Sequence, residues 1–355
     1  METTPKIIFS TLFSAMLVVP ALMLAPHLAD FDRPKQQHLL NGELTRSFEK
    51  YIDDKNILKT FATNLWAAIG YKVFKEGRKG VVIGTRGWLF TNEEMDPVAH
   101  ADALYHANLI AMNNIRDTLK AHGIELVVAI LPAKTRLYGQ YLPPGVQPSN
   151  IHQALYERIH RDLHNAQIKA PSLLEPMIKA NRRHPVFLYT DTHWTPWGAE
   201  SAAKALSDFI KEQQLVSVDT KTFSTDVIEK KPHQGDLLNY LPLSPWFDFI
   251  NPFTDTIEVK KTTEQTRDDL SHTEEALFAD TSIEVILVGS SYSANPLWHF
   301  AGSLTQNLGT DLLNIAQEGQ GPLKPLQEYL QSDKFKNHPP KLVIWEFPER
   351  YLLKN

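Results

Sequence analysis

Three short segments of this chain carry residue types whose spacing suits acyl transfer. The first is Gly289-Ser290-Ser291-Tyr292-Ser293, directly after the apolar run 283–288, IEVILV. A serine held in a tight turn between a buried strand and a helix has a fixed, exposed hydroxyl. Backbone N–H groups around Ser291 and Tyr292 can then point at a developing oxyanion, with Asn295 as a further donor. Gly289 permits the sharp turn. The same Gly-Ser-Ser turn is also ordinary loop chemistry. The second segment is Tyr189-Thr190-Asp191-Thr192-His193-Trp194. In extended backbone Asp191 and His193 share a face, so the carboxylate can orient the imidazole that deprotonates a serine. The alternatives are a metal pair, which needs further convergent ligands, or a turn aspartate beside a packed histidine. No HExxH or similar spacing supplies those ligands, and no metal is assigned. Trp194, Trp197 and Tyr292 offer aromatic faces that suit sugar rings and equally suit core packing. The third segment follows the run 125–131, ELVVAIL, where Lys134 and Arg136 can meet the carboxylate of an acidic polymer or form a solvated basic loop.

These segments need elements to bring them together. Residues 125–131, 186–189, 283–288, 311–315 and 342–347 read as short buried strands. Between them lie helical patterns at 101–122, 151–166, 196–212, from Pro296, and 325–331. Thr195 is a plausible N-cap, with Pro196 in the first turn. Unbroken apolar strands alternating with helices imply an α/β, doubly wound, mostly parallel sheet, whose sites sit at the C-terminal strand ends. All three segments fall at such ends. Residues 81–90 read as a β-hairpin. The polar, Pro-bearing stretch 216–280 reads as an irregular insertion beside the site.

Lys6 precedes an apolar run over residues 7–25, long enough at ~1.5 Å per residue to cross a bilayer core. The small-residue cleavage pattern is poor, so residues 1–29 read as a retained anchor with the body on the far side of the membrane. Residues 30–80 read as a linker (30–35) and a helical stalk that includes Leu39, Leu40, Phe48, Tyr51, Ile52 and Leu58. Residues 81–355 read as one domain holding all three segments. A net charge of −5 does not point to nucleic acid, which needs a concentrated basic face, and the absence of cysteine excludes disulfides, thiolate metal sites and cysteine nucleophiles.

Asp191-Thr192-His193-Trp194, Gly289-Ser290-Ser291-Tyr292-Ser293, the hairpin Gly87-Trp88-Leu89-Phe90 and the closing stretch 341–351 (KLVIWEFPERY) together resemble the alginate O-acetylation proteins of the AlgJ and AlgX type. That family is one of SGNH-hydrolase-like polysaccharide acetyltransferases, and the resemblance spans roughly residues 81–351. It implies a flavodoxin-like SGNH fold, circularly permuted, since the Asp-His pair precedes the serine here. It also implies Ser291 as nucleophile with His193 and Asp191 as base and orienter. Ser290 stands where threonine is more familiar, which leaves Ser290 and Ser291 both open as the attacking residue. The AlgX branch carries a further carbohydrate-binding module. This chain ends at Asn355, so with its anchor it resembles the AlgJ branch. The resemblance implies no cofactor. The implied partners are an exported polysaccharide, a membrane-bound O-acyltransferase supplying acetyl groups, other assembly proteins and the bacterial inner membrane facing the periplasm. Alginate is the expected polymer, with cellulose as the alternative. An acetylesterase with the same nucleophile and a non-catalytic polysaccharide-binding scaffold are the other readings.

Overall fold

Runs of β-branched and large apolar residues without a helical period become the strands. Val81–Ile83 (β1) and Leu89–Thr91 (β2) form the expected antiparallel hairpin. Glu125–Leu131 (β3) opens a four-stranded sheet. Phe223–His233 (β4) and Asp255–Glu264 (β5) pair only with each other, as an antiparallel ribbon. Val285–Val288 (β6), Leu312–Asn314 (β7) and Leu342–Pro348 (β8) complete the sheet, in the order β3-β8-β6-β7 with every pair parallel. This computed structural model describes residues 3–31, 42–218, 221–265 and 283–354. The expected linker residues 32–35, Leu39, Leu40 and parts of the insertion (219–220 and 266–280) lie outside them.

The helices are Thr3–Leu24 (α1), Glu43–Lys55 (α2), Ile57–Ile69 (α3), Ala101–Ala121 (α4), Lys134–Tyr138 (α5), Asn150–Asn165 (α6), Leu174–Asn181 (α7) and Pro196–Glu212 (α8). They continue with Ser291–Ala294 (α9), Phe300–Leu308 (α10), Lys324–Gln331 (α11) and Asp333–Asn337 (α12). Successive strand residues point to opposite faces, and each face has its own core. Val127, Ala129 and Leu131 pack with residues of α7, α8 and α10. Leu126, Val128 and Ile130 pack with residues of α4, α6 and α11. The sheet is thus covered on both faces, as its unbroken apolar strands require.

The described residues fall into two units, Met1–Lys75 with Leu241–Asn251, and Glu76–Tyr240 with Pro252–Asn355. In the first, Lys6–Leu28 is long and apolar enough to cross a membrane, with a mean hydropathy of 2.3. The expected single stalk helix is two helices, α2 and α3. Asn56 breaks it in extended backbone and caps α3 by accepting from the N–H of Lys59.

Three expectations fail locally. Residues 186–189 are not a sheet strand. They form a short bridge with the segment that carries His193 (Leu188 N–H to His193 O 3.1 Å, Thr195 N–H to Val186 O 2.9 Å). Side chains take further N–H groups of this backbone: Tyr138 accepts from Val186 N–H at 2.9 Å and Asp255 from Tyr189 N–H at 2.9 Å. Second, the insertion is not irregular, because it contains the β4–β5 ribbon. Third, the helix expected from Pro296 begins at Phe300. Ser290 caps a separate turn, α9, and Asn295 caps the one after it.

Candidate active site

Ser291 is the first residue of α9, immediately beyond the end of β6. The turn there is shaped by a glutamate inside the last strand. Glu346 of β8, fully buried, accepts from Ser290 N–H (3.1 Å), Ser290 Oγ (3.0 Å) and Ser293 Oγ (2.7 Å). Burial pushes its carboxyl up, against the pull of those hydrogen bonds. Gly289 is needed for close approach rather than for an unusual φ. A Cβ there would lie 2.6 Å from Glu346 Oε2. Ser290 Oγ is therefore tied to Glu346 and to the N–H of Tyr292, while Ser291 Oγ is turned to His193 Nε2 at 2.7 Å.

His193 Nδ1 lies 2.6 Å from Asp191 Oδ1, which also accepts from the His193 N–H at 2.9 Å. With the proton on Nδ1, Nε2 is left to accept from the Ser291 hydroxyl. The imidazole stacks on Trp298 (5.1 Å between centroids, 20°) and touches the Tyr292 ring at 4.5 Å. Thr195 caps α8 as expected, accepting from Gly198 N–H at 3.0 Å.

The ribbon adds two residues that the motifs did not reveal. His233 Nε2, at the end of β4, lies 2.7 Å from Asp191 Oδ2. The backbone N–H of Asp236 donates to the same oxygen at 3.1 Å. Asp236 in turn accepts from Thr192 N–H (2.8 Å) and its hydroxyl (2.5 Å). Burial pushes the Asp191 carboxyl up, but the hydrogen bonds from His193 and His233 outweigh it and hold it below the usual carboxylate range. Asp236 is raised, by burial first and by the charge of Asp191 second. The ligand atoms of Asp191, His193 and Asp236 lie within 4.8 Å of one another, a donor set that a cation can share. Both oxygens of Asp191 already carry two hydrogen bonds each, so that set has little coordination to offer. Tyr351 faces the serine as well. Burial raises its phenol, and Arg350 and the Ser291 hydroxyl oppose the rise.

The oxyanion donors divide. Tyr292 N–H is engaged by Ser290 Oγ at 3.3 Å, and Asn295 Oδ1 accepts from Leu297 N–H at 3.0 Å. The Ser291 N–H and the Asn295 amide nitrogen meet no protein acceptor among the described residues.

The residues expected at substrate are mostly elsewhere. Lys134 is buried, and its ammonium donates to the carbonyls of Leu89 (2.6 Å), Tyr189 (3.1 Å) and Asp191 (2.9 Å). Burial pushes it down to about 8, and it is a staple between the hairpin and the Asp191 loop rather than a substrate cation. Arg136 is occupied by a bidentate pair with buried Glu349 (2.7 and 2.9 Å) and by His152 O. Trp194 is fully buried, donating to Tyr292 O at 3.2 Å, so no sugar stacks on it. Tyr292 is also buried, its hydroxyl donating to Thr192 O at 2.6 Å. Trp197 is half-buried and lines a separate groove of about 660 Å³ with His184, Phe253 and Lys260; Ser291, His193 and Asp191 do not line it.

A parallel sheet covered on both faces, with a serine beyond one strand facing a histidine and an aspartate, defines an SGNH hydrolase-like protein. Residues 81–349 match the family described as SGNH hydrolase-like domain, acetyltransferase AlgX, and the chain belongs to that family of acetyltransferase enzymes. It is 46% identical over 356 residues to a probable alginate O-acetylase AlgJ of Pseudomonas putida, covering 100% of this chain and 92% of the relative. The solved O-acetyltransferase domain of Pseudomonas putida AlgJ superimposes with a TM-score of 0.71 at 44% identity, over 78% of this chain and 94% of that one. Pseudomonas aeruginosa AlgX shares the fold, with a TM-score of 0.60 at 24% identity over 77% of this chain and 66% of that one.

Proposed function

We propose that this chain O-acetylates an exported polysaccharide, alginate foremost, on the periplasmic side of the inner membrane to which α1 anchors it. The names of the AlgJ relatives support the polymer, and the apolar span Lys6–Leu28 supports the anchor. The observation that carries the chemistry is the unbroken line from Ser291 Oγ to His193 Nε2 (2.7 Å) and from His193 Nδ1 to Asp191 Oδ1 (2.6 Å).

His193 Nε2 takes the Ser291 proton as Oγ bonds to the acetyl carbonyl carbon. Asp191 holds the ring and stabilises the imidazolium that forms. The oxyanion is received by the Ser291 N–H and the Asn295 amide. Collapse of the tetrahedral adduct expels the donor's leaving group, which regains a proton from His193, and leaves acetyl-Ser291. A sugar hydroxyl then gives its proton to His193 and attacks the acetyl carbon. Ser291 leaves and recovers its proton. The acetyl donor comes from a membrane-bound O-acyltransferase partner.

The test is incubation of the protein with a chromogenic acetyl ester, with and without a polymannuronate oligomer. Acetylated oligomer should appear by mass spectrometry. Ser291→Ala should lower turnover about 10⁴-fold or more without unfolding the protein. Full activity in a folded Ser291→Ala variant would sink the assignment. Ester cleavage without acetylated oligomer would point to water or another polymer as acceptor.

A further inference from the structure

The helix α3 turns its apolar side outward. Ile57, Leu58, Phe61, Leu65 and Trp66 are all exposed, and at 100° per residue they share one half of the helix. Asn64 and Ala68, which flank Ile57 at one edge of that half, are buried. A helix facing water shows the reverse pattern. Trp66 is 71% exposed, and the following turn, Gly70–Phe74, adds exposed Val73 and Phe74.

A loop from the insertion widens this surface. Asn64 Nδ2 donates to Pro242 O at 2.6 Å, and the Phe61 ring meets Trp246 and Phe247 at 5.7 and 6.1 Å. The loop Leu241–Asn251 so held presents Trp246 and Phe249, the latter 81% exposed. Single exposed apolar residues are ordinary, but a contiguous face of them marks a docking surface.

What covers it follows from where this unit is tethered. Tyr51 of α2 donates to His27 O at 3.0 Å, and Phe31 packs on Phe48 and Tyr51 at 5.1 and 5.4 Å. This fastens α2 to the end of the apolar span Lys6–Leu28. On the reading that α1 spans the bilayer, His27 lies at its surface. Ile57 follows Tyr51 by four steps along α2, a rise of ~6 Å, and the break at Asn56. That distance is comparable to the ~5–10 Å to which an interfacial helix sinks its apolar face. Exposed tryptophan with nearby Lys72 and Lys75 is the composition of that layer.

We propose that α3, the Gly70–Phe74 turn and the Leu241–Asn251 loop lie in the interfacial layer of the lipid bilayer, as a second attachment beside α1. This rests on the anchoring reading. The chain has no cysteine, so one introduced thiol carries one spin label. Full-length Trp66→Cys, Val73→Cys and Phe249→Cys proteins are reconstituted in phosphatidylcholine–phosphatidylglycerol vesicles. Val18→Cys in α1 and exposed Lys204→Cys in the other unit serve as references. Collision with oxygen and with a water-soluble nickel chelate is read by electron paramagnetic resonance.

Labels at 66, 73 and 249 should collide with the chelate several-fold less, and with oxygen several-fold more, than the label at 204. Chelate access at all three, with position 18 protected, overturns the proposal and leaves the anchor standing. Chelate access at position 18 as well overturns both. Protection in native membranes but not in lipid vesicles assigns the face to a membrane protein, and also overturns it.

Discussion

At the scale of single residues, the convergence of Ser291, His193 and Asp191 could be read from sequence because Ser291 follows an apolar strand and Asp191 pairs with a neighbour two positions away. Lys134, Arg136 and Trp194 were misplaced because residue type does not tell what buries it. The three carbonyls around Lys134 come from residues 45 to 57 positions distant. His233 was invisible for the same reason, lying 42 positions from its carboxylate. Its hydrogen bond, with that of the Asp236 N–H, holds the second oxygen of Asp191 and so fixes the carboxylate that orients His193. A hydrogen bond to a charged group contributes roughly 1.5–3 kcal/mol, equivalent to about 10–100-fold in rate. His233→Phe should lower kcat for ester cleavage by that order with KM little changed. His233→Gln, which restores an N–H donor, should recover part of the loss. Equal kcat in all three proteins would remove His233 from the site. The pH dependence has a definite sign. Asp191 titrates below the usual carboxylate range when folded, so its contribution is present above that range and is lost as pH falls through it. Asp236, raised by burial and by Asp191, contributes in the opposite direction. Asp191→Asn removes the first effect, which is the larger, and relieves only the part of the opposing second effect that Asp191 causes, since burial of Asp236 remains. Its urea midpoint should therefore fall less steeply than the wild type's between pH 5 and pH 3. Parallel curves would mean that Asp191 carries no such linkage.

At the scale of elements, the sheet was legible because strands buried on both faces must be continuously apolar. The ribbon was not, because β4 and β5 are mostly exposed or half-buried and carry charged pairs such as Lys230–Glu258 across the ladder. Such strands lack the apolar alternation by which a half-buried strand is recognised. Yet this ribbon brings His233, Asp236 and Asp255 to the loop that carries Asp191 and His193. Gly235, between β4 and Asp236, packs directly on that loop, since a Cβ there would lie 2.1 Å from Thr190 O. The obstructing atom is backbone, so the loop carrying Asp191 must shift. Gly235→Ala should cost about 1–3 kcal/mol in urea unfolding, as overpacking does. It should also slow ester cleavage in the fraction that remains folded. Unchanged kinetics would show that the ribbon can move without disturbing Asp191.

At the scale of the whole molecule, the two cores on the faces of the sheet draw all their residues from the unit Glu76–Tyr240 with Pro252–Asn355. None of α1, α2 or α3 contributes to them. The family match over residues 81–349 falls within the same span apart from Leu241–Asn251, and the solved AlgJ domain corresponds to 78% of this chain. Burial of a large aliphatic or aromatic side chain contributes roughly 1.5–3 kcal/mol, so two cores of this size outweigh anything an exposed helical layer can add. Ser291, His193, Asp191, His233 and Glu346 all belong to the same unit. A chain beginning at Glu76 should therefore fold, unfold in one cooperative transition and cleave a soluble acetyl ester at close to the full-length kcat. It should no longer co-sediment with lipid vesicles, because α1 and the apolar face of α3 are gone. Trp246 and Phe249 remain but lose the Phe61 and Asn64 contacts that hold their loop. Replacing both with serine should thus raise solubility without lowering kcat. Loss of the cooperative transition in the shortened chain would show that residues before Glu76 complete the fold, rather than place an autonomous enzyme at a membrane.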